Sequence, residues 1–338
     1  MTSNFELTAL DALFALVADL PQVDNAASDA ARARQDSLTK PPGALGRLEE
    51  LAIFMAGWQG AEKPVIERAQ ALVFAGNHGI CAQGVNPYPQ EVTAQMVGNF
   101  KSGGAAINQL CRANGADLSV IALDLDQPTA DFTTGPAMSP DETLAAFNTG
   151  AAAVDTSAQV LILGEMGIGN STIAAALSNA VFGGNASDWV GRGTGSDDEG
   201  VTRKISAVER GVSLHKDLQG LDILAVLGGR EQAAICGAVI AARAARIPVI
   251  LDGFICTASI APLFAVDPSL LDHCLVGHRS VEPGHQKLLA GLSKEPVLDF
   301  DMRLGEGSGA AVALGILRSA LACHNGMATF AEAGVSGA

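Results

Sequence analysis

The chain has 338 residues, enough to bury a large hydrophobic core in one domain, or in a large domain with a smaller one beside it. Its net charge of −15 and its lack of a basic run exclude a nucleic-acid partner, whose phosphates require a positive surface. No apolar run reaches the roughly 20 residues of a membrane-spanning helix, so we expect a soluble protein without a membrane partner.

The cysteines and histidines do not show the spacing of a metal site. The six cysteines are scattered, without C-x-x-C or zinc-finger spacing, and are typical of reduced core residues in a cytoplasmic protein. His78, His278 and His285 form no HExxH motif or other tight ligand spacing. We therefore expect no metal and no cofactor.

The predicted elements begin with helices and continue with alternating strands and helices. Residues 5–20 form an amphipathic pattern without the basic start of a signal peptide. Helices are predicted at residues 5–20, 26–38, 47–58, 91–113, 172–181, 201–216, 231–245, 286–292 and 310–333. Short apolar runs predict strands at residues 71–74, 118–123, 160–163, 223–227, 249–251 and 275–276, with a weaker run at 297–298.

This alternation predicts an α/β protein with a mostly parallel, Rossmann-like sheet and helices on both faces. The first three predicted helices precede all the strands, and no strand follows the last helix. We expect residues 1–60 and 310–338 to form a small helical domain, and residues 61–309 to form a large α/β catalytic domain.

The stretch QVLILGEMGIGNSTIAAAL, residues 159–177, predicts a strand, a glycine loop and a helix N-terminus in succession. Free N–H groups and the helix dipole attract an anion at such a point. The glycine spacing nearly matches a P-loop, but Asn170 replaces its lysine, which favours a monophosphate. Ser171 and Thr172 offer hydroxyls for the helix cap. A purely structural turn is the alternative.

Polar or glycine-rich loops follow most of the predicted strands. In open parallel sheets, ligands bind beyond the carboxyl ends of the strands, so these loops predict one shared pocket. The loops are GNHG (76–79), GEMGIGN (164–170), GG (228–229), DGF (252–254) and GHRS (277–280), joined by GRGTGSDDEG (191–200) before the helix that carries Lys204.

Three acids and two cations are candidates for chemistry. Glu306 precedes a helix and is either a first-turn acid that complements the dipole or a general base; composition leaves both open. Glu165 would repel a phosphate, so we expect it to face a sugar hydroxyl or a cationic ring. Asp252 is a single acid, whereas magnesium-bound pyrophosphate requires two adjacent ones. Lys204 and Arg303 are phosphate partners or, alternatively, solvated surface cations.

Together the motifs resemble the nicotinate-nucleotide:dimethylbenzimidazole phosphoribosyltransferase family, of the lower-ligand branch of cobalamin synthesis. The resemblance covers essentially the whole chain. In order, the motifs are KPPGALGRLE (40–49), NHG (77–79), YPQEVTAQM (88–96), GEMGIGNST (164–172), GRGTGSDDEG (191–200), IPVILDGF (247–254), GHRSVEPGH (277–285) and MRLGEGSGAA (302–311).

The resemblance implies transfer of the phosphoribosyl group from nicotinate mononucleotide to dimethylbenzimidazole, giving α-ribazole phosphate and nicotinate, with inversion at the anomeric carbon. The donor already carries a cationic pyridinium leaving group, so no magnesium-pyrophosphate motif is needed. Glu306 matches the general base. Glu165 matches a carboxylate near the anomeric centre, where it could stabilise oxocarbenium charge.

The resemblance also implies the binding residues and the assembly. Phosphate, ribose and nicotinate contacts fall on Gly167, Gly193, Thr194, Lys204, Ser280 and Arg303. The flat acceptor base is expected in an apolar slot formed by Tyr88, Met96, Met166 and Leu304. A homodimer is expected, with small-molecule substrates as the other partners.

Three alternatives stay open. The acceptor could be adenine, a phenol or plain benzimidazole. The chain could be a non-catalytic nucleotide-binding module, although such a module needs neither Glu306 nor Glu165. A magnesium-dependent phosphoribosyltransferase is disfavoured by the lone Asp252.

Overall fold

A parallel sheet forms the centre of the computed structural model, which describes residues 5–336. Within that range the sheet has six strands in the order β2-β1-β3-β4-β5-β6, all parallel. This confirms the predicted fold class. The strands are β1 (Ala69–Ala75), β2 (Ala116–Ala122), β3 (Val160–Met166), β4 (Val249–Leu251), β5 (Cys274–His278) and β6 (Pro296–Leu298).

Helices cover both faces of the sheet. The longer ones are α2 (Asn25–Ser37), α3 (Arg47–Gln59), α4 (Glu91–Lys101), α5 (Ala106–Asn114), α6 (Pro140–Ala152), α7 (Asn170–Phe182), α8 (Asp198–Leu214), α10 (Arg230–Ala244), α13 (Pro283–Gly291) and α14 (Ser308–Gly326). The shorter ones are α1 (Ala12–Leu16), α9 (Asp222–Leu227), α11 (Phe254–Ser259), α12 (Ala261–Val266) and α15 (Phe330–Ala333). No helix in the described range is long and apolar enough to cross a membrane.

The two faces of the sheet belong to two apolar cores because successive strand residues point to opposite sides. Leu72 and Phe74 of β1 lie in the core that contains α7 and α10. Ala71 and Val73 of the same strand lie in the core that contains α3, α5 and α14. The C-terminal helix α14 therefore packs on the sheet and also contacts α3. The division into a small and a large domain stays a prediction.

One predicted strand is wrong. Residues 223–227 form helix α9, not a strand. A short apolar run suits a buried helix as well as a buried strand, and periodicity alone cannot separate them. The Gly228-Gly229 pair therefore follows a helix. The pair still lies near the carboxyl edge of the sheet, because it packs against His78 in the loop after β1. A Cβ on Gly229 would lie 2.8 Å from His78 Nδ1.

Several predicted helices differ in extent. The helix predicted over 91–113 is broken into α4 and α5 at Gly103, whose φ of 78° suits glycine. The helix predicted over 5–20 shrinks to α1 and a 3-10 turn, because Asn148 pins the backbone of Leu7 through two hydrogen bonds. The last helix likewise divides into α14 and α15. Helices α6, α11 and α12 are absent from the sequence prediction.

Candidate active site

A pocket opens beyond the carboxyl ends of β3, β4 and β5. Strand β2 lies on one side of β1, and β3 lies on the other, so the strand order reverses direction at β1. Open α/β sheets bind ligands beside such a reversal. The predicted residues that line the pocket are Glu165, Gly167, Gly193, Thr194, Lys204, Ser280, Arg303 and Leu304. The sheet thus brings together segments that are far apart in the sequence.

The glycine loop after β3 presents the N-terminus of α7 to this pocket. The N-cap of α7 is Gly169 in the left-handed region, with φ 97°. The predicted hydroxyl cap from Ser171 or Thr172 is therefore wrong, because both residues are already inside the helix. A glycine cap leaves the first-turn N–H groups without a side-chain acceptor, which makes them available to an anion.

Lys204 reaches the same point from α8. It is only 2% exposed, so it is not a solvated surface cation. Its Nζ donates to Ser171 Oγ at 3.1 Å and to the Gly191 carbonyl at 3.2 Å. Burial lowers its pKa, and the carboxylate of Glu282 opposes that shift. Arg303 donates to the Gly193 carbonyl at 3.5 Å.

We call Lys204, Arg303 and the N-terminus of α7 the cationic side of the pocket. These donors line the same pocket from three separate segments of the chain. Charged donors beside a helix N-terminus suit a phosphate group.

Glu282 is a pocket residue that the sequence reasoning missed. Its Oε1 accepts from the Gly193 N–H at 2.9 Å, so it ties the loop before α8 to the loop after β5. Burial raises its pKa, while Lys204, the Gly193 N–H and Arg303 lower it. The sequence did contain a signal for Glu282. It lies in the motif GHRSVEPGH, directly before Pro283, which is the first residue of α13.

Glu165 lies near the end of β3 and is buried. Asn170 Nδ2 donates to its Oε2, so the residue that replaces the P-loop lysine serves this carboxyl group. Burial raises the pKa of Glu165 to about 8, with further contributions from Asp252, Glu231 and Glu306. A buried acid among like charges holds its proton at neutral pH.

Glu306 lies in a left-handed turn directly before α14. Its φ is 66°, and the flanking Gly305 and Gly307 both have φ 88°. It is 6% exposed, and its Oε2 has no hydrogen-bond partner among residues 5–336. Burial raises its pKa, helped by Asp252 and opposed by the Ile107 N–H. Gly305 lines the pocket, whereas Glu306, the next residue in the turn, is not among the residues that line it.

We call Glu165, Asp252 and Glu306 the acidic side of the pocket. A Cβ on Gly305 would lie 2.6 Å from Glu165 Oε1, so the turn that carries Glu306 passes close to Glu165. The sequence identifies Asp252 only as an acid without the second one that magnesium would need. In the structure it lines the pocket, and its carboxylate accepts two backbone N–H groups at the start of α14.

The four residues predicted for the base slot are less closely grouped. Leu304 lines the pocket and is 55% exposed. Met96 and Met166 are partly buried against the same apolar core. Tyr88 is 50% exposed, and its neighbours Asn86 and Pro87, rather than Tyr88 itself, line the pocket.

The buried histidines pair with acids or with the backbone. His78 Nε2 lies 2.6 Å from Glu231 Oε1, and both side chains are fully buried. His278 Nε2 lies 3.6 Å from Asp252 Oδ1. His285 Nδ1 accepts from the Ser280 N–H at 2.9 Å, and burial lowers its pKa to about 3. Within residues 5–336, no group of three or more His, Cys, Asp or Glu side chains is arranged to hold a metal ion.

Known proteins resemble this chain over nearly its full length. A family model described as phosphoribosyltransferase matches residues 20–335. A protein of Rhodobacter capsulatus named nicotinate-nucleotide–dimethylbenzimidazole phosphoribosyltransferase is 64% identical, over 98% of this chain and 99% of its own. A protein of the same name from Ruegeria pomeroyi is 59% identical, over 98% of each chain. The crystal structure of CobT from Thermus thermophilus is 42% identical, with a TM-score of 0.87, over 93% of this chain and 100% of that one.

Proposed function

We propose that this chain, which belongs to the family of nicotinate-nucleotide–dimethylbenzimidazole phosphoribosyltransferases, moves the phosphoribosyl group of nicotinate mononucleotide to dimethylbenzimidazole. The family resemblance seen in the motifs is confirmed, and the protein is a phosphoribosyltransferase. The observation that supports this reaction is one pocket with a cationic side and, close to it, an acidic side. The products would be α-ribazole phosphate and nicotinate.

The cationic side would hold the donor phosphate. Lys204 and Arg303 supply charged donors, and the N-terminus of α7 supplies backbone N–H groups. The residues that line the same pocket beside them and would contact the ribose and nicotinate are Gly167, Gly193, Thr194 and Ser280. A phosphate fixed at one end of the sugar directs the anomeric carbon toward the acidic side.

The proposed transfer forms one bond, breaks one bond and moves one proton, and it requires no metal ion to do so. One imidazole nitrogen of the base attacks the anomeric carbon from the face opposite nicotinate, which gives inversion. The bond to the pyridinium nitrogen breaks, and its electron pair leaves with neutral-ring nicotinate. Glu306 would take the proton from the other imidazole nitrogen as general base. Its raised pKa makes the carboxylate a stronger base than an exposed glutamate.

Glu165 would respond to the charge of the donor. Its pKa of about 8 keeps it mostly protonated in the free enzyme at neutral pH. A cationic pyridinium beside it favours the ionised form, so binding of the donor would release its proton. The resulting carboxylate would then stabilise positive charge on the sugar during transfer.

The acceptor base would lie against Leu304, with Tyr88, Met96 and Met166 completing an apolar slot. Leu304 lines the pocket and both methionines are apolar and only partly buried, which suits a flat, methylated base as the acceptor. Adenine, a phenol or plain benzimidazole are the competing acceptors. Incubation with an equimolar mixture of these bases, followed by quantification of each product, ranks them.

We also propose a cytoplasmic homodimer. The exposed apolar side chain of Phe300, which the proposed base slot does not use, supports a partner surface. The six free cysteines agree with a reducing compartment. Sedimentation equilibrium measures the assembly, and a monomer at micromolar concentration would contradict it.

The reaction is tested with nicotinate mononucleotide and dimethylbenzimidazole in a chelator-containing buffer. We expect stoichiometric release of nicotinate and formation of α-ribazole phosphate, because the donor carries its own leaving group. Turnover that requires magnesium, or no nicotinate release with any base, would contradict the proposed function. Binding of the donor without turnover would favour a nucleotide-binding module.

A further inference from the structure

The carboxylate of Asp252 caps helix α14 from a distant loop. The N-cap residue of α14 is Gly307, which has no side chain to accept the first N–H groups of the helix. Asp252, directly after β4, supplies both acceptors. Its Oδ2 accepts from the Gly307 N–H at 3.1 Å, and its Oδ1 accepts from the Ala310 N–H at 3.0 Å. A charged acceptor at a helix N-terminus also gains from the helix dipole.

These two hydrogen bonds act on the turn that holds Glu306. The turn is in the left-handed region over three consecutive residues, and Glu306 is the one without glycine's freedom. On its other side the turn packs directly against β3. Gly164 of that strand has no room for a side chain, because a Cβ there would lie 2.5 Å from the Gly307 nitrogen. The turn is thus held between Gly164 on one strand and Asp252 after the next.

His278 is a close neighbour of Asp252. Its Nε2 lies 3.6 Å from Asp252 Oδ1, and both side chains are buried. The ring of His278 is held between two glycines, since a Cβ on Gly253 would lie 2.6 Å from its Nε2 and a Cβ on Gly309 would lie 2.0 Å from its Cδ2. Asp252 therefore has a fixed neighbour besides the Glu306 turn.

We propose that Asp252 is a positioning residue, which sets the carboxylate of Glu306 for proton transfer by holding the Gly305–Gly307 turn. This rests on the proposed role of Glu306 as general base. The hydrogen bonds of Lys204 and Arg303 go to Ser171, Gly191 and Gly193, not to Asp252, so binding of the donor phosphate should depend little on Asp252.

The main variant is Asp252→Asn, which keeps the size of the side chain. Its amide Nδ2 would face an N–H donor, so at least one of the two hydrogen bonds is lost. We expect kcat to fall about 10- to 100-fold, the cost of a small misplacement of a reacting group, with KM for nicotinate mononucleotide changed less than about threefold. Asp24→Asn is the matched control, because Asp24 caps α2 by the same kind of bond to Ala27.

A double-mutant cycle separates positioning from a general loss of stability. If Asp252 acts through Glu306, adding Asp252→Asn to Glu306→Gln should cost no further kcat. A multiplicative loss in the double variant, or normal kcat in Asp252→Asn, would overturn the proposal. Should Asp252→Asn not fold, Asp252→Glu keeps both acceptor oxygens, moves them by one methylene, and should show the same pattern with the same cycle.

Amide hydrogen exchange tests the turn without reference to activity. In Asp252→Asn the amides of Gly307 and Ala310 should exchange faster, while amides in α7 keep their rates. Unchanged exchange at both positions would overturn the proposal. A wild-type enzyme that releases no nicotinate would instead refute the proposed function, and this exchange experiment would still report on the turn.

Discussion

The cationic and acidic sides of the pocket hold their charges in different ways. Lys204 and Arg303 on the cationic side donate hydrogen bonds to a hydroxyl or to carbonyls. On the acidic side, burial raises the pKa values of Glu165, Asp252 and Glu306, and the last two add to the pKa of Glu165. Fixed donors suit binding of a phosphate, whereas acids with raised pKa values suit proton transfer. We therefore propose that the cationic side binds the donor phosphate, and that the acidic side performs the proton transfer and positions its base.

The largest expected effect is on the acidic side. Glu306→Gln removes the proposed base and should lower kcat by about 10²-fold or more, with little change in KM for nicotinate mononucleotide. Steady-state kinetics of nicotinate release measures both. The exposed Glu50, at the start of α3, is the control, because Glu50→Gln makes the same chemical change at a residue that does not line the pocket. Near-normal turnover would reduce Glu306 to a helix-end residue.

The next effect is on the cationic side. Lys204→Ala removes a charged donor from the proposed phosphate site and should raise KM for nicotinate mononucleotide by about 10- to 100-fold, with a smaller change in kcat. The control is Lys216→Ala, since Lys216 is exposed just beyond the end of the same helix. A fall in kcat with KM unchanged would contradict the proposed role of the cationic side in binding.

The next prediction concerns the proton that Glu165 should release when the donor binds. Because Glu165 has a pKa of about 8 in the free enzyme, binding of the cationic donor at about pH 7 should release up to one proton. Calorimetry in buffers of different ionisation enthalpy measures this number. The release should disappear in Glu165→Gln. Equal release in that variant would assign the proton to another group.

The last prediction concerns stability and not turnover. The folded pKa of Glu165, about 8, exceeds its ordinary value of 4.5, so the folded state binds more protons between these pH values. Stability is therefore favoured at low pH and is lost as pH rises through this window, by at most about 1.4 kcal/mol per pH unit. Denaturant unfolding from pH 5 to 8 should show a flatter profile for Glu165→Gln than for wild type. If the unfolding free energies of the variant and the wild type depended on pH in the same way, the raised pKa of Glu165 would be contradicted.

Much of the sheet was predictable because its strands are continuous apolar runs between turn-forming residues. The run at 223–227 failed because a buried helix has the same composition as a buried strand. Helix α6 could have been found. Its Ser139 and Glu142 form a capping box with Pro140 between them, which is a readable start signal.

The pocket was only partly predictable. Local motifs identified Glu165, Lys204 and Glu306, because each lies in or beside a glycine-rich loop. The roles of Glu282 and Asp252 depend on contacts with Gly193 and Gly307, which are dozens of residues away in the chain. Such pairings follow from the strand order and not from local spacing.

A crystal structure with dimethylbenzimidazole bound tests the central claim most directly. We expect one imidazole nitrogen within about 2.6–3.2 Å of a Glu306 carboxylate oxygen, where Oε2 now has no partner in residues 5–336. The other nitrogen should face the space between Glu165 and the cationic side. A base whose nitrogens meet Glu165 or solvent, with Glu306 left unpaired, would contradict the account.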